Sequence, residues 1–130
     1  MSKKIIWIAS YPKSGNTYVR CLLANYLYNN DADFSFKLLS KIPKFEKTDV
    51  FKSVLNEDIL DESFSYYKNY LDVQKKLIQK FNQKKLIFKT HHFFGELDNH
   101  IFTNEETTLL FIYLIRDPRE VLISYANHTN

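Results

Sequence analysis

Three short hydrophobic runs, separated by stretches with helical periodicity, constrain the fold of this chain most strongly. Two of them are apolar throughout, and the second along the chain has an apolar centre with lysines at both ends. The runs cover residues 5–9, 84–89 and 109–115. Apolar runs of this length are typical of strands buried on both faces of a sheet. Because such strands alternate with helices here, the pattern predicts an α/β fold with a parallel sheet. The run at 109–115 is apolar throughout, and we expect it to be the central strand.

A helix is predicted directly after the first apolar run and a short turn. Its apolar residues recur at helical spacing and form one stripe. They are Val19, Leu22, Leu23, Tyr26 and Leu27. We expect this helix to end at residues 29–31. The stretch that follows, residues 29–62, is broken by Pro43 and is expected to be irregular or partly helical.

Two further helices are predicted. One covers residues 63–81, where apolar residues again recur at helical spacing and lysine and glutamine occupy the outer face. The other begins at Asp117 and Pro118, because aspartate is a good N-cap and proline fits the first helical position. Glu120 stands at the spacing of a capping box.

The composition indicates one globular domain over residues 1–130. The chain is 45% hydrophobic and 25% charged, and its formal net charge of +3 does not by itself argue for nucleic acid. No apolar window reaches the length of about 18 residues that a membrane-spanning helix needs. The single cysteine, Cys21, excludes an intramolecular disulfide and is expected to be a buried filler. We therefore expect a cytoplasmic protein.

Each apolar run leads into a polar cluster, and ligands of parallel α/β sheets bind beyond the carboxyl ends of the strands. The first cluster, YPKSGNT, joins a strand to the start of a helix, where unpaired N–H groups and the helix dipole favour an anion. Lys13 adds a charge, Gly15 lets the backbone approach, and Ser14, Asn16 and Thr17 supply further donors. The alternative interpretation is a capped turn with a solvated lysine.

The second cluster lies at the end of the run at 84–89. Lys89 and His91 are two residues apart, so strand alternation places both side chains on one side of the backbone. A histidine can accept a proton from an attacking hydroxyl, and a lysine can stabilise charge on a transferred group. Alternatively, His91 is a structural or surface residue. The neighbouring His92 offers a metal pair in principle, but successive residues diverge and no ligand spacing follows.

The third cluster begins where the run at 109–115 ends. Arg116 suits a bidentate grip on a phosphate, and Ser124, eight residues on, can add a hydrogen bond. The alternative is a salt bridge of Arg116 with Asp117 or Glu120, together with an exposed Ser124.

In combination, these clusters resemble the motifs of cytosolic-type sulfotransferases, which use 3′-phosphoadenosine 5′-phosphosulfate (PAPS) as sulfuryl donor. The matching segments are YPKSGNT, KTH and YLIRDPREVLISY, and their order and spacing extend over nearly the whole chain. The resemblance implies a P-loop-like three-layer α/β/α fold. It also implies sulfuryl transfer from PAPS to a hydroxyl or amine of a small-molecule or glycan acceptor, without a metal.

The resemblance also implies roles for individual residues. Those that cradle the 5′-phosphosulfate are Lys13, Ser14, Gly15, Asn16 and Thr17, with Lys13 near the bridging oxygen. His91 is the general base, and Lys89 assists the transfer. Arg116 and Ser124 bind the 3′-phosphate.

The chain departs from the family pattern in two ways. Tyr18 stands where many members have a tryptophan that packs on the adenine, and a tyrosine can stack with less surface. Members are also commonly much longer, and a downstream glycine- and lysine-rich segment completes their 3′-phosphate and adenine site. No such segment occurs in this sequence. We therefore expect a domain that is incomplete at its C-terminus, with an exposed face covered by self-association or a further polypeptide.

Two other functions are consistent with parts of the sequence. A truncated fragment could retain an anion- or nucleotide-binding loop without turnover. A P-loop phosphotransferase would need magnesium ligands and a Walker A loop, in which the lysine directly precedes a serine or threonine after the second glycine. In YPKSGNT the lysine precedes the glycine by two positions, which argues against that class.

Overall fold

The computed structural model describes residues 4–31, 33–55, 65–81 and 85–129. Within them, a parallel sheet contains strands β1 (Ile5–Ser10), β2 (Leu86–Thr90) and β5 (Thr108–Leu114). The order of these strands is β2-β1-β5. Apolar side chains cover both faces of β1, and helices pack on each face. The prediction of an α/β fold with a parallel, three-layer architecture is confirmed.

The prediction that the run at 109–115 is the central strand is wrong. The centre of the sheet is β1, which pairs with β2 on one side and with β5 on the other. β5 lies at one edge of the described sheet, and its Leu109 and Tyr113 side chains are 61% and 56% exposed. A continuous apolar run therefore indicates a strand that can be covered on both faces. The position of that strand within the sheet depends on which other strands it pairs with in the tertiary structure.

The first helix, α1 (Asn16–Tyr28), ends at Asn29 as predicted. The predicted apolar stripe is only partly correct, because Leu22 and Tyr26 are exposed while Cys21 and Ala24 are buried. The buried apolar side chains of this helix are the small ones of Cys21 and Ala24. The buried face of the helix is therefore rotated away from the more hydrophobic positions Leu22 and Tyr26. Cys21 is a buried filler, as expected.

The stretch after α1 contains short helical turns, as predicted. A 3-10 helix covers Phe36–Lys41 and ends before Pro43, and the short helix α2 covers Thr48–Lys52. Residues 56–62 of this predicted stretch lie outside the described residues.

The helix predicted at 63–81 corresponds to a 3-10 turn at Tyr67–Asn69 followed by α3 (Tyr70–Lys80). The first two residues of that prediction, 63–64, lie outside the described residues. A small antiparallel pair, β3 (Glu96–Leu97) and β4 (His100–Ile101), follows β2. The last helix is α4 (Pro118–Thr129), which begins where the sequence predicts.

The main core lies between the sheet, α2 and α3. Trp7 of β1 is fully buried at its centre, with ring contacts to four phenylalanines, and its indole Nε1 donates to Thr108 Oγ1 at 2.9 Å. These phenylalanines are Phe45, Phe88, Phe102 and Phe111. On the opposite face, Ile8 packs with Ala24 of α1. The two cores hold β1 rigidly, so the polar residues at its carboxyl end have a fixed base.

No helix among the described residues is long and apolar enough to cross a membrane.

Candidate functional site

The loop from β1 to α1 has an unusual backbone for its residue types. Lys13 and Gly15 both have left-handed backbones, with φ of 66° and 90°. A glycine adopts this conformation without cost, whereas a lysine is strained by it. Gly15 is the N-cap of α1, and no side chain caps the helix there. The first N–H groups of α1 therefore lack both an intrahelical partner and a side-chain cap, which is the arrangement that binds anions.

Asn16 opens α1 but turns its side chain into the protein. Its Nδ2 donates to Ile8 O at 3.1 Å and to Ser10 Oγ at 3.0 Å, and the side chain is buried. Its Oδ1 has no hydrogen-bond partner among the described residues. Both contacts of its NH₂ group therefore lie within the chain, which leaves the backbone N–H of Asn16, at the first position of α1, as the donor that this residue can offer to an anion.

His91 follows the carboxyl end of β2, next to the end of β1. Its Nδ1 lies 2.7 Å from Ser10 O. A carbonyl oxygen can only accept, so Nδ1 must carry the proton of this hydrogen bond. In the neutral ring Nε2 is then unprotonated, and the His91 side chain is exposed. The structure thus holds an imidazole with its basic nitrogen available, which is what a general base requires.

Lys89 belongs to β2 and is half-buried. Burial lowers the pKa of its ammonium group, and the nearby cations Lys44 and Arg20 act in the same direction, while Glu46 opposes them. Its backbone is hydrogen-bonded to the segment of residues 43–45: Lys89 N donates to Pro43 O and Phe45 N donates to Lys89 O, both at 2.9 Å. These bonds fix the backbone position from which the Lys89 side chain extends.

His92 does not join His91. Its Nε2 lies 3.0 Å from the hydroxyl of Tyr70, and its ring stacks on Phe102. Burial lowers the pKa of His92, opposed by Glu46, and burial raises the pKa of Tyr70 to about 12. His92 therefore packs against the main core rather than beside His91 at the cavity.

The turn from β5 to α4 is stabilised by charged side chains. Asp117 Oδ1 accepts from Arg119 N at 2.9 Å, which is an N-cap, and Asp117 also pairs with the Arg119 guanidinium. Arg116 contacts Glu120 Oε2 through Nε and Nη2 at 3.0 and 2.9 Å. Its Nη1 donates to Lys13 O at 3.2 Å. Arg116 therefore makes the predicted salt bridge with Glu120 and also joins this turn to the first loop.

An open cavity of about 620 Å³ lies at the carboxyl ends of the three strands. This volume is in the usual range for small-molecule sites. Three cations, Lys13, Lys89 and Arg116, line it, and no carboxylate is among its described lining residues. The remaining residues that line it are Pro12, Gly15, Asn16, Thr17, Tyr18, His91, Ser124, Tyr125 and His128.

Nine of the ten site residues predicted from sequence line this cavity. The exception is Ser14, which lines a neighbouring hollow with Tyr11 and Tyr113. Sequence reasoning missed three lining residues, which are Pro12, Tyr125 and His128. His128 stands four residues after Ser124 on α4, so its helical spacing could have indicated that the two share a face.

The family model of the sulfotransferase domain matches residues 3–130 of this chain. The chain belongs to the sulfotransferase family. A curated relative, the luciferin sulfotransferase of Photinus pyralis, is 28% identical over 127 residues. That match covers 95% of this chain and 32% of the relative, so this sulfotransferase domain spans about a third of the length of the relative that it matches. No solved structure matches the chain significantly.

Proposed function

We propose that this chain binds PAPS and carries the general base of a sulfotransferase that acts on a hydroxyl or amine acceptor. The observation that supports this function most directly is the cavity at the strand ends. Cations surround it, no carboxylate is among its described lining residues, and an uncapped helix N-terminus adjoins it. Such a site favours a ligand with several negative charges, and the exposed Nε2 of His91 adds a proton acceptor beside it.

The residues of the cavity suit the separate parts of PAPS. In the proposal, Lys13 and the first N–H groups of α1 hold the 5′-phosphosulfate, because both favour an anion. Arg116 and Ser124 hold the 3′-phosphate. Tyr18 is 70% exposed and lines the cavity, so its ring can stack on the adenine. When bound, PAPS would supply the sulfuryl group, and its 5′-phosphate would be the leaving group.

The proposed transfer is direct. The Nε2 atom of His91 accepts the proton of the acceptor hydroxyl or amine. The acceptor atom forms a bond to sulfur while the bond from sulfur to the bridging oxygen breaks, and the bonding electron pair remains on the departing phosphate. Lys13 and Lys89 offset the negative charge that develops on the oxygens. Because the imidazole of His91 is already oriented and the lysines are already in place, less entropy is lost when the reacting groups are brought together.

Nucleotide binding is tested first, with the product-like ligand 3′-phosphoadenosine 5′-phosphate and calorimetry. We expect saturable binding by the wild-type chain and a loss of roughly tenfold or more in affinity for Lys13→Ala and for Arg116→Ala, since each removes a charge-assisted hydrogen bond or ion pair. Lys37→Ala removes an exposed lysine that does not line the cavity and serves as the matched control. A folded wild-type chain that does not bind this nucleotide contradicts the proposal.

Turnover is tested with PAPS and a panel of hydroxyl and amine acceptors that includes luciferin, the compound named in the curated relative. We expect His91→Gln to lower the rate by roughly 10²–10⁴-fold, the usual contribution of a general base, without loss of nucleotide affinity. Binding without any turnover by the wild-type chain supports instead a non-catalytic nucleotide-binding fragment.

Three expectations from the sequence stay predictions. They are a cytoplasmic location, a small-molecule or glycan acceptor, and an exposed face covered by self-association or by a further polypeptide.

A further inference from the structure

We infer that Asn16 is a positioning residue for His91: acting through Ser10, its buried amide maintains the imidazole tautomer that leaves Nε2 free to accept a proton. The inference rests on the proposed function, because it concerns the residue proposed there as the base. It differs from the role that the sequence resemblance implies for Asn16, which is to contact the phosphosulfate.

The geometry at the end of β1 carries the inference. The backbone pairing of β1 with β2 ends at Ala9 and Thr90, so Ser10 lies one residue beyond the last pair. His91 lies at the corresponding place after β2 and contacts Ser10 O through its side chain, at 2.7 Å from Nδ1. The tautomer of His91 therefore depends on where the carbonyl of Ser10 points, at a position that the ladder to β2 no longer holds.

On its other side Ser10 pairs with Leu114 of β5, and Asn16 adds a side-chain contact to the Ser10 hydroxyl. Its Nδ2 bridges Ile8 O and Ser10 Oγ at 3.1 and 3.0 Å, so one amide ties two residues at the end of β1 to the first turn of α1. Ser10 and Asn16 are both nearly inaccessible to solvent. Buried hydrogen bonds of this kind restrict the backbone because no water can replace them.

The orientation of the amide is decided by its partners. Ile8 O can only accept a hydrogen bond, so the NH₂ group of Asn16 must face it. Oδ1, the remaining polar atom, is an acceptor and cannot donate to an anion. The adjacent Thr17 has an exposed side chain that lines the cavity, so its hydroxyl is a side-chain donor that this turn offers to a ligand beside Lys13 and the first N–H groups of α1. Neighbouring residues of the motif thus have different roles.

The wild-type chain provides the first test, which needs neither donor nor acceptor. Long-range ¹H–¹⁵N spectra of the ¹⁵N-labelled protein, recorded where the imidazole is neutral, distinguish a proton on Nδ1 from one on Nε2. We expect His91 to carry its proton on Nδ1. A proton on Nε2 of wild-type His91 overturns the inference, whatever the result of the nucleotide titration.

The second test compares two adjacent substitutions. Asn16→Leu keeps the number and branching of the side-chain heavy atoms, adds no charge and removes both N–H donors of the amide. We expect it to shift His91 to a mixture of tautomers and, because the backbone N–H of residue 16 remains, to weaken the binding of 3′-phosphoadenosine 5′-phosphate less than Thr17→Val does. Thr17→Val is the matched control: it should weaken nucleotide binding about tenfold, as loss of a hydrogen bond to a charged group does, and leave the tautomer of His91 unchanged.

The outcomes separate the possible roles of Asn16. Weaker nucleotide binding with an unchanged tautomer in Asn16→Leu identifies Asn16 as a phosphate contact and overturns the inference. If Asn16→Leu does not fold, Ser10→Ala decides, because it removes one acceptor of the amide and keeps the carbonyl that His91 contacts. A mixed tautomer in folded Ser10→Ala supports the inference, and an unchanged tautomer overturns it.

Discussion

The described part of the chain contains two units in which a strand of the sheet leads through a polar turn into a helix, and the two turns are stabilised differently. At the turn from β1 to α1, a left-handed glycine serves as N-cap and no side chain caps the helix. At the turn from β5 to α4, the carboxylate of Asp117 accepts the hydrogen bond from Arg119 N. The start of α4 therefore already has an anion, while the start of α1 has none.

The two units also differ in how they are buried. β1 is the centre of the sheet and its polar end is tied by buried hydrogen bonds of Asn16 and Ser10. The turn after β5 is held by exposed ion pairs of Arg116 and Arg119. Exposed pairs contribute little to stability, whereas buried, fully formed contacts are costly to lose. This difference indicates that the first unit is the more rigid part of the candidate site, and that the second contributes Arg116, a cation held by an exposed ion pair.

Substitutions in the two strands should give the largest difference. Trp7→Ala removes the buried side chain at the centre of the core, and we expect it to lower the free energy of unfolding by roughly 3–5 kcal/mol. Leu109→Ala in β5 removes a side chain that is 61% exposed, and we expect a change of about 0.5 kcal/mol. Urea unfolding followed by circular dichroism measures both. Equal decreases in the free energy of unfolding for the two variants would contradict the distinction between the buried strand β1 and the partly exposed strand β5.

The N-cap of α1 provides a test of intermediate size. At Gly15 an added Cβ meets no atom within 4 Å, so only the backbone conformation resists a side chain. We expect Gly15→Ala to destabilise the protein by about 1–2 kcal/mol, the cost of the left-handed conformation for an ordinary residue. Gly15→Asn is the matched control and should cost less, because asparagine adopts this conformation more readily. If the two variants are equally stable in thermal unfolding, the left-handed backbone conformation is not the reason why substitution of Gly15 is destabilising.

The cap of α4 should give the smallest effect, visible as a pH dependence. Hydrogen bonds from the side chain and backbone of Arg119 lower the pKa of Asp117 below its ordinary value of 3.8. Because the folded-state pKa is lower than the unfolded one, the contribution of the charge is present above the unfolded value and is lost as the pH falls through the folded value.

Asp117→Asn keeps a good N-cap but removes this charge. We expect wild type to be slightly more stable than Asp117→Asn in urea at neutral pH, and the difference to disappear in acid below the ordinary carboxyl pKa. A difference that stays constant from neutral to acid pH would show that the charge of Asp117 does not stabilise the folded chain.

Much of the fold could be predicted from local patterns. The apolar runs indicated the strands of the parallel sheet, Asn29 ended α1, and Asp117 with Pro118 began α4. These predictions succeed because they depend on neighbouring residues. The central strand was not predicted correctly, because the run at 109–115 has the composition of a central strand but lies at the edge of the described sheet.

The candidate site shows the same division. The residue types at the strand ends indicated an anion site, and nine of the ten predicted residues line one cavity. The pattern could not show that the side chain of Asn16 faces the interior, that Ser14 lies in a neighbouring hollow, or that His128 lines the cavity.

The sequence by itself determined the three strands of the parallel sheet, the longer helices, the polar turns that follow the strands and the family to which the chain belongs, because each of these depends on residue type and spacing along the chain. The tertiary structure decided which strand is central, which nitrogen of His91 is available and which side chains of the YPKSGNT turn face the cavity. These depend on hydrogen bonds between residues distant in sequence, such as His91 to Ser10 and Arg116 to Lys13. Only the packed sheet brings those partners together.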